Sequence, residues 1–220
     1  MWKKLFLILI VLMLLSLFLF ISSGVCWEMN ERGTYSIYFM DEQVGYEEFL
    51  WREVERGYEL EVKGRITKPV SMQIKHLVIR VDKDFIPLSF EFEGVLSGSK
   101  QSISSSISDG TVKNAIQVAG HEQETFVEIK RDAFLLPNPV FSSYMVITKK
   151  YKCSLEEEKA DLSAYIIPQA EISFALSSPE EESCVLLMKM GDTVIKLETD
   201  EKGTLKSLLI PSQNIRVILD

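Results

Sequence analysis

Four acids, Glu47, Glu48, Glu59 and Glu61, are the residues of this sequence that could be arranged as paired carboxylates. Two such groups held a few ångströms apart hydrolyse glycosides. Each, however, lies in a segment where charged and apolar residues alternate, and acids alternating out of strands are expected on a solvated face. A carboxylate hydrolase is therefore the minor alternative. His76 falls on an apolar strand face, where a hydrogen-bonded core or cavity role is expected. His121, in Gly120-His-Glu-Gln-Glu124, lacks the second histidine of a zinc-binding helix and follows a strand, so it reads as a turn residue. The serines from Ser102 to Ser108 alternate with Ile103 and Ile107 and form a strand's polar face. Nothing matches a phosphate loop, a dinucleotide fingerprint or a Gly-x-Ser-x-Gly elbow. The expectation is a non-enzymatic protein with no metal and no cofactor.

Three cysteines remain, Cys26, Cys153 and Cys184. Whether they pair depends on the compartment, which the amino terminus addresses. Trp2-Lys3-Lys4 is a short basic region, Leu5 to Ile21 is apolar apart from Ser16, and Ser22-Ser23-Gly24 supplies small residues. Residues 1–24 therefore read as a signal peptide or a membrane anchor. Cleavage after Gly24, retention as an anchor and lipidation of Cys26 all stay open, although Val25 departs from the usual lipoprotein signal. Each places the protein outside the cytoplasm, in a periplasmic or extracytoplasmic setting, with the basic end left inside. Export makes a disulfide reasonable, and Cys153 with Cys184 is the preferred pair, against the alternative of two reduced thiols. Closing a loop of about 30 residues stabilises by roughly 3–4 kcal/mol in the chain-entropy model. The formal charge of −8 becomes more negative if Lys3 and Lys4 leave with the leader. A field of that sign repels phosphate backbones, so no nucleic-acid partner is expected.

The elements that would position these residues are mostly strands. Hydrophobicity alternates with a period near two from Thr34 onward. Tyr58, Leu60, Val62 and Ile66 oppose Glu59, Glu61, Lys63 and Arg65. Val70, Met72, Ile74, His76 and Val78 share the next face, and Ile86, Leu88, Phe90 and Phe92 the one after. Turns are expected at Asp41-Glu42-Gln43, Glu55-Arg56-Gly57, Asp82-Lys83-Asp84 and Asp109-Gly110, the last a strong hairpin signal. One helix is expected, near residues 138–151. Asn138 would serve as its N-cap and Pro139 as its first residue. Val140, Phe141, Tyr144, Met145, Ile147 and Thr148 cover most of its circumference, and Ser142, Ser143 and Lys149 mark a narrow polar side. A helix this apolar and this short needs a sheet to cover it. Strands then resume from Leu162 to the end.

The predicted architecture is mainly β, a meander of about 12–14 strands forming one domain over residues 30–220. So many sequential hairpins disfavour a flat sheet. A curved antiparallel sheet, half-barrel or open barrel, wrapped around the one helix is expected in preference to a sandwich. Trp51, Tyr58, Met72, His76, Phe90, Phe92, Phe141, Tyr144 and Met145 are candidates to line an apolar cavity, with a filled core as the alternative.

Three segments carry a family resemblance. They are Gly33-Thr-Tyr-Ser-Ile-Tyr-Phe with Gln43-Val-Gly-Tyr-Glu-Glu-Phe, Leu136-Pro-Asn-Pro-Val-Phe-Ser-Ser-Tyr-Met-Val, and Thr199-Asp-Glu-Lys-Gly-Thr-Leu-Lys-Ser-Leu-Leu-Ile-Pro. Together they resemble exported half-barrel proteins of the glycolipid-binding and Lol-type lipoprotein-carrier superfamily. The resemblance implies a concave apolar cavity and a lipid or lipoprotein partner, and it transfers no catalytic residue. The expected function is an exported envelope protein that binds a lipid, glycolipid or lipoprotein acyl chain in the concave face of its sheet and reaches the membrane through its N-terminal segment. The alternative is an envelope interaction or assembly module with a solid core.

Overall fold

The computed structural model describes residues 30–153, 155, 157–179 and 184–220. The leader at residues 1–24 and the lipidation question at Cys26 lie outside the described residues. Among the described residues fifteen strands join one large, open, curved sheet. They are β1 (Glu31–Phe39), β2 (Glu42–Val54), β3 (Gly57–Ile66), β4 (Met72–Val81), β5 (Pro87–Leu96), β6 (Ser99–Ser108), β7 (Thr111–Val118), β8 (His121–Glu128), β9 (Phe134–Leu135), β10 (Lys159–Ile166), β11 (Ala170–Ser177), β12 (Val185–Met190), β13 (Thr193–Thr199), β14 (Leu205–Ile210) and β15 (Ile215–Leu219). The order across the sheet is β8-β7-β6-β5-β4-β3-β2-β1-β15-β14-β13-β12-β11-β10-β9. Two meanders are thus joined where β1 pairs antiparallel with β15. The short β9 runs parallel to β10 and was not legible as a strand.

Curvature is visible in a contact between strands far apart in that order, β7 and β10. Asn114 of β7 donates from Nδ2 to the Tyr165 hydroxyl of β10 at 2.9 Å, and accepts on Oδ1 from Ser105 at 2.7 Å. Tyr35 of β1 donates to the carbonyl of Leu205, at the start of β14, at 2.8 Å. Strand pairing alone would leave these polar groups stranded in an apolar interior, so each bond satisfies a group that burial would otherwise penalise. Around them one continuous cluster of buried apolar side chains runs through both meanders.

Hairpin geometry corrects one expected turn. The first reversal is at Met40 and Asp41, both with positive φ (51° and 62°), one residue earlier than the expected Asp41-Glu42-Gln43, and Glu42 already begins β2. Asp109-Gly110 does form a two-residue turn with positive φ at both positions, the arrangement that matches strand twist.

The helical segment is shorter than expected and starts differently. A 3-10 turn, Phe141–Tyr144, leads into α1 (Met145–Tyr151). Asn138 does not cap it: the chain is still extended at Val140, the residue that precedes the 3-10 turn, and no side-chain cap hydrogen bond is made there. Nor is there a solvent-facing polar side: Ser142, Ser143, Thr148 and Lys149 are all buried. Ser143 donates to the Val140 carbonyl within the segment, and the sheet and its β13–β14 connection supply partners for the others. Thr148 Oγ1 donates to the Gly203 carbonyl at 2.8 Å, and Lys149 Nζ donates to the Glu31 carboxylate and to Thr204 Oγ1. Gly203 must lack a side chain here, since a Cβ would sit 2.5 Å from the Thr148 carbonyl oxygen. Beyond α1, Cys153 is disulfide-bonded to Cys184, tying the end of the helical segment to the chain entering β12. Among the described residues no helix is long and apolar enough to cross a membrane.

Candidate functional site

The site is built where the helical segment begins. Leu136-Pro137-Asn138-Pro139 leaves β9 through a turn closed by the Val140 N–H donating to the Pro137 carbonyl at 2.8 Å, its two prolines unable to donate backbone hydrogen bonds, and delivers Val140 and Phe141 into the core. What anchors that arrival is a carboxylate 94 residues away in sequence. Glu47 of β2 is fully buried; one oxygen accepts from Phe141 N–H at 3.0 Å, the other from Ser142 N–H at 2.7 Å and from the Ser142 hydroxyl. Open N–H groups at the start of a helical turn are the natural seat for an anion. Burial pushes the Glu47 carboxyl above its ordinary value, against the opposing pull of these three hydrogen bonds. Room for it comes from Gly64, directly opposite on β3, where a Cβ would crowd the Tyr46 carbonyl and the Glu47 side chain. The expectation of a solvated Glu47 is thereby corrected. The available signal was that Glu47 runs in phase with Phe49 and Trp51, on the inward side.

Glu59 also departs from a solvated role. It sits on the outward face but is buried under Arg52 and Arg80, which donate to its two oxygens, and Arg80 continues to Glu91. Burial raises its carboxyl, but the hydrogen bonds and charges of the two arginines outweigh this and hold it below the ordinary value. Glu47 and Glu59 therefore occupy opposite faces with separate partners, and no reacting pair is formed by them.

Beside the Glu47 anchor lies an apolar pocket of about 450 Å³. It opens at the end of the sheet where β1, β3, β5 and β10 finish and β2, β13 and β15 begin. Its walls include Ile37, Val44, Ile66, Val140, Phe141 and Ile195, and Lys68 stands at its edge, bonded to both oxygens of Glu42. Two exposed apolar side chains, Met40 and Val70, flank the same end. The volume lies within the range of small-molecule sites, about 300–1,000 Å³.

Of the cavity candidates, Phe141 and Tyr144 line this pocket. Met72, Phe90, Phe92 and Met145 are packed into the core. Trp51 and Tyr58 sit at the opposite end of the strands, stacked on each other and on Phe85, at a second recess of about 770 Å³ that also contains Lys149, Lys202 and Asp200. His76 is a correction. A bulge between Ile74 and His76 leaves Lys75 unpaired and reverses the alternation, so Leu77, Ile79 and Val81 point into the core. His76 faces outward, 44% exposed in its side chain, with Nδ1 3.9 Å from Glu61. Such a bulge inserts one residue and inverts the phase that sequence periodicity depends on. Among the described residues no cluster of three or more histidine, cysteine or acidic side chains is placed to hold a metal ion.

Comparison with known proteins adds little chemistry. No family model matches the sequence, and no curated protein matches it. A solved structure of a DUF1089-family protein from Pseudomonas aeruginosa is similar over 86% of this chain and 95% of that chain, at 13% identity and a TM-score of 0.44. Likeness at that level transfers nothing to the function of this chain.

Proposed function

We propose that this is an exported envelope protein whose sheet acts as a half-barrel around the helical segment and holds a lipid, glycolipid or lipoprotein acyl chain. The observation that carries the reading is the 450 Å³ pocket, which is walled by aliphatic and aromatic side chains and includes Lys68 as its only charged lining residue among those described. Apolar chain buried there gains up to about 0.8 kcal/mol per methylene. The leader-like residues 1–24 and the net charge of −8 fit an extracytoplasmic, non-nucleic-acid role.

Native mass spectrometry of the purified protein, with displacement of a fluorescent acyl probe, tests the reading. Bound lipid, and saturable probe binding lost in Leu96→Trp, which narrows the pocket wall, is the expected result. No bound lipid and no probe binding overturn it and favour the second reading, an assembly module with a solid core. That alternative draws support from the complete burial of Met145 and Ile147 and the near-complete burial of Phe90.

A further inference from the structure

Five polar side chains line the apolar pocket without a side-chain hydrogen bond to a described residue: Asn138 and Gln213 are exposed, Tyr38 carries the Arg216 guanidinium over its ring, and Thr193 and Tyr144 are half-buried, Tyr144 as the phenol of the helical segment. Tyr144 stands at the junction of the 3-10 turn and α1, with its ring in the pocket wall. Its hydroxyl makes no hydrogen bond to any described residue. Nor is that oxygen sealed away: the Ser163 hydroxyl is the one side-chain polar atom that is both fully buried and unpartnered among the described residues. The two fully buried tyrosine hydroxyls behave differently. Tyr35 donates to Leu205 and Tyr165 accepts from Asn114, as buried phenols normally find partners. A phenol left open inside an apolar recess is poised to bond a ligand.

We infer that Tyr144 is the polar recognition point of the pocket, and that its ligand is a neutral acyl ester whose carbonyl oxygen accepts from the Tyr144 hydroxyl. The inference rests on the lipid-binding reading above and names the class of ligand. Charge decides between ester and free acid. Among the described residues the one cation in the pocket wall, Lys68, lies at the edge and is bonded to both oxygens of Glu42, 2.7 and 3.0 Å away, so a carboxylate entering the pocket would meet no free positive charge from them. Burial of an unpaired carboxylate is strongly penalised, whereas an ester carbonyl needs a single donor. Burial pushes the Tyr144 hydroxyl up to about 12, so it keeps its proton, and its donor role, throughout the neutral range.

The test compares three pyrene-labelled probes of equal chain length on the full mature chain and on Tyr144→Phe: a glycerol monoester, the free fatty acid at pH 8, and an alkylpyrene without oxygen. The substitution keeps the ring and removes only a hydroxyl that bonds to nothing in the fold, so alkylpyrene binding reports whether the pocket survives. In the wild type the ester should bind more tightly than the fatty acid. In Tyr144→Phe the ester should weaken by about 3- to 10-fold, the worth of one neutral hydrogen bond, with the alkylpyrene unchanged. Equal ester affinity in the two proteins, or tighter fatty-acid than ester binding by the wild type, overturns the ester assignment and leaves the pocket reading standing. Parallel loss of ester and alkylpyrene also overturns it, since Tyr144 would then shape the pocket only. Failure of the wild type to bind any of the three removes both.

Discussion

Glu47 offers the sharpest test of how the helical segment is held. Its carboxylate serves three donors, Phe141 N–H on one oxygen and the Ser142 N–H and hydroxyl on the other. Glutamine keeps the volume but turns one oxygen into an amino group that faces a donor. Leaving one sealed N–H without an acceptor costs about 1–3 kcal/mol, partly offset because no charge is then buried, so the expected net loss is about 1–2 kcal/mol. Alanine removes both acceptors and opens a cavity, and should cost about 3–5 kcal/mol. For a domain of this size each kcal/mol lowers Tm by about 2–4 °C. Urea unfolding followed by tryptophan fluorescence measures all three proteins. The pH dependence has a definite sign. Because the folded-state carboxyl is raised, the folded protein binds the extra proton between the ordinary and the raised value, and wild-type stability falls as pH rises through that window. Glutamine lacks the transition, so the advantage of wild type over Glu47→Gln should shrink from acid towards neutral pH. An alanine cost below about 1 kcal/mol, or an advantage that grows with pH across the window, refutes the assignment.

Other outcomes follow from the same structure. The Glu59 carboxyl is lowered in the folded state, so its contribution is present above the ordinary carboxylate value and lost as pH falls through the depressed one; Arg80→Ala should cost about 1–2 kcal/mol at neutral pH and flatten that acid limb, both read from urea titrations between pH 3 and 7. Thiol titration of the denatured, unreduced full-length chain should find one free thiol, with Cys153→Ser together with Cys184→Ser costing about 3–4 kcal/mol; three free thiols would contradict the bridge. Ser163→Ala removes a buried hydroxyl that has no partner and should be neutral or stabilising by up to about 1 kcal/mol in the same unfolding assay.

Much of the sheet was legible because strand faces report themselves locally. The alternation in Tyr58–Ile66 and the turn residues at Asp109-Gly110 reflect forces acting over a few residues, the pleat and the φ preference of a hairpin. Reading failed where a single residue changed phase or where the partner was remote. The bulge at Lys75 carried His76 to the outer face, and the phase of Met72 and Ile74 gave no warning of it. The capping of the helical segment was assigned to Asn138, the local residue of the right type, whereas an extended Val140 and the carboxylate of Glu47 mark the start. Likewise Ser142, Ser143 and Lys149 read only as a narrow polar side, because their neighbours in sequence do not show what covers them.

The sequence by itself determined a mainly β chain and one short, strongly apolar helical segment, since periodicity, turn chemistry and composition are properties of neighbouring residues. Only the tertiary structure decided which acids are buried, where the apolar space lies and that the Tyr144 hydroxyl beside it is left without a partner. Those outcomes depend on strands brought together from opposite ends of the chain, as when β2 places Glu47 under Phe141 and leaves the pocket open beside Tyr144.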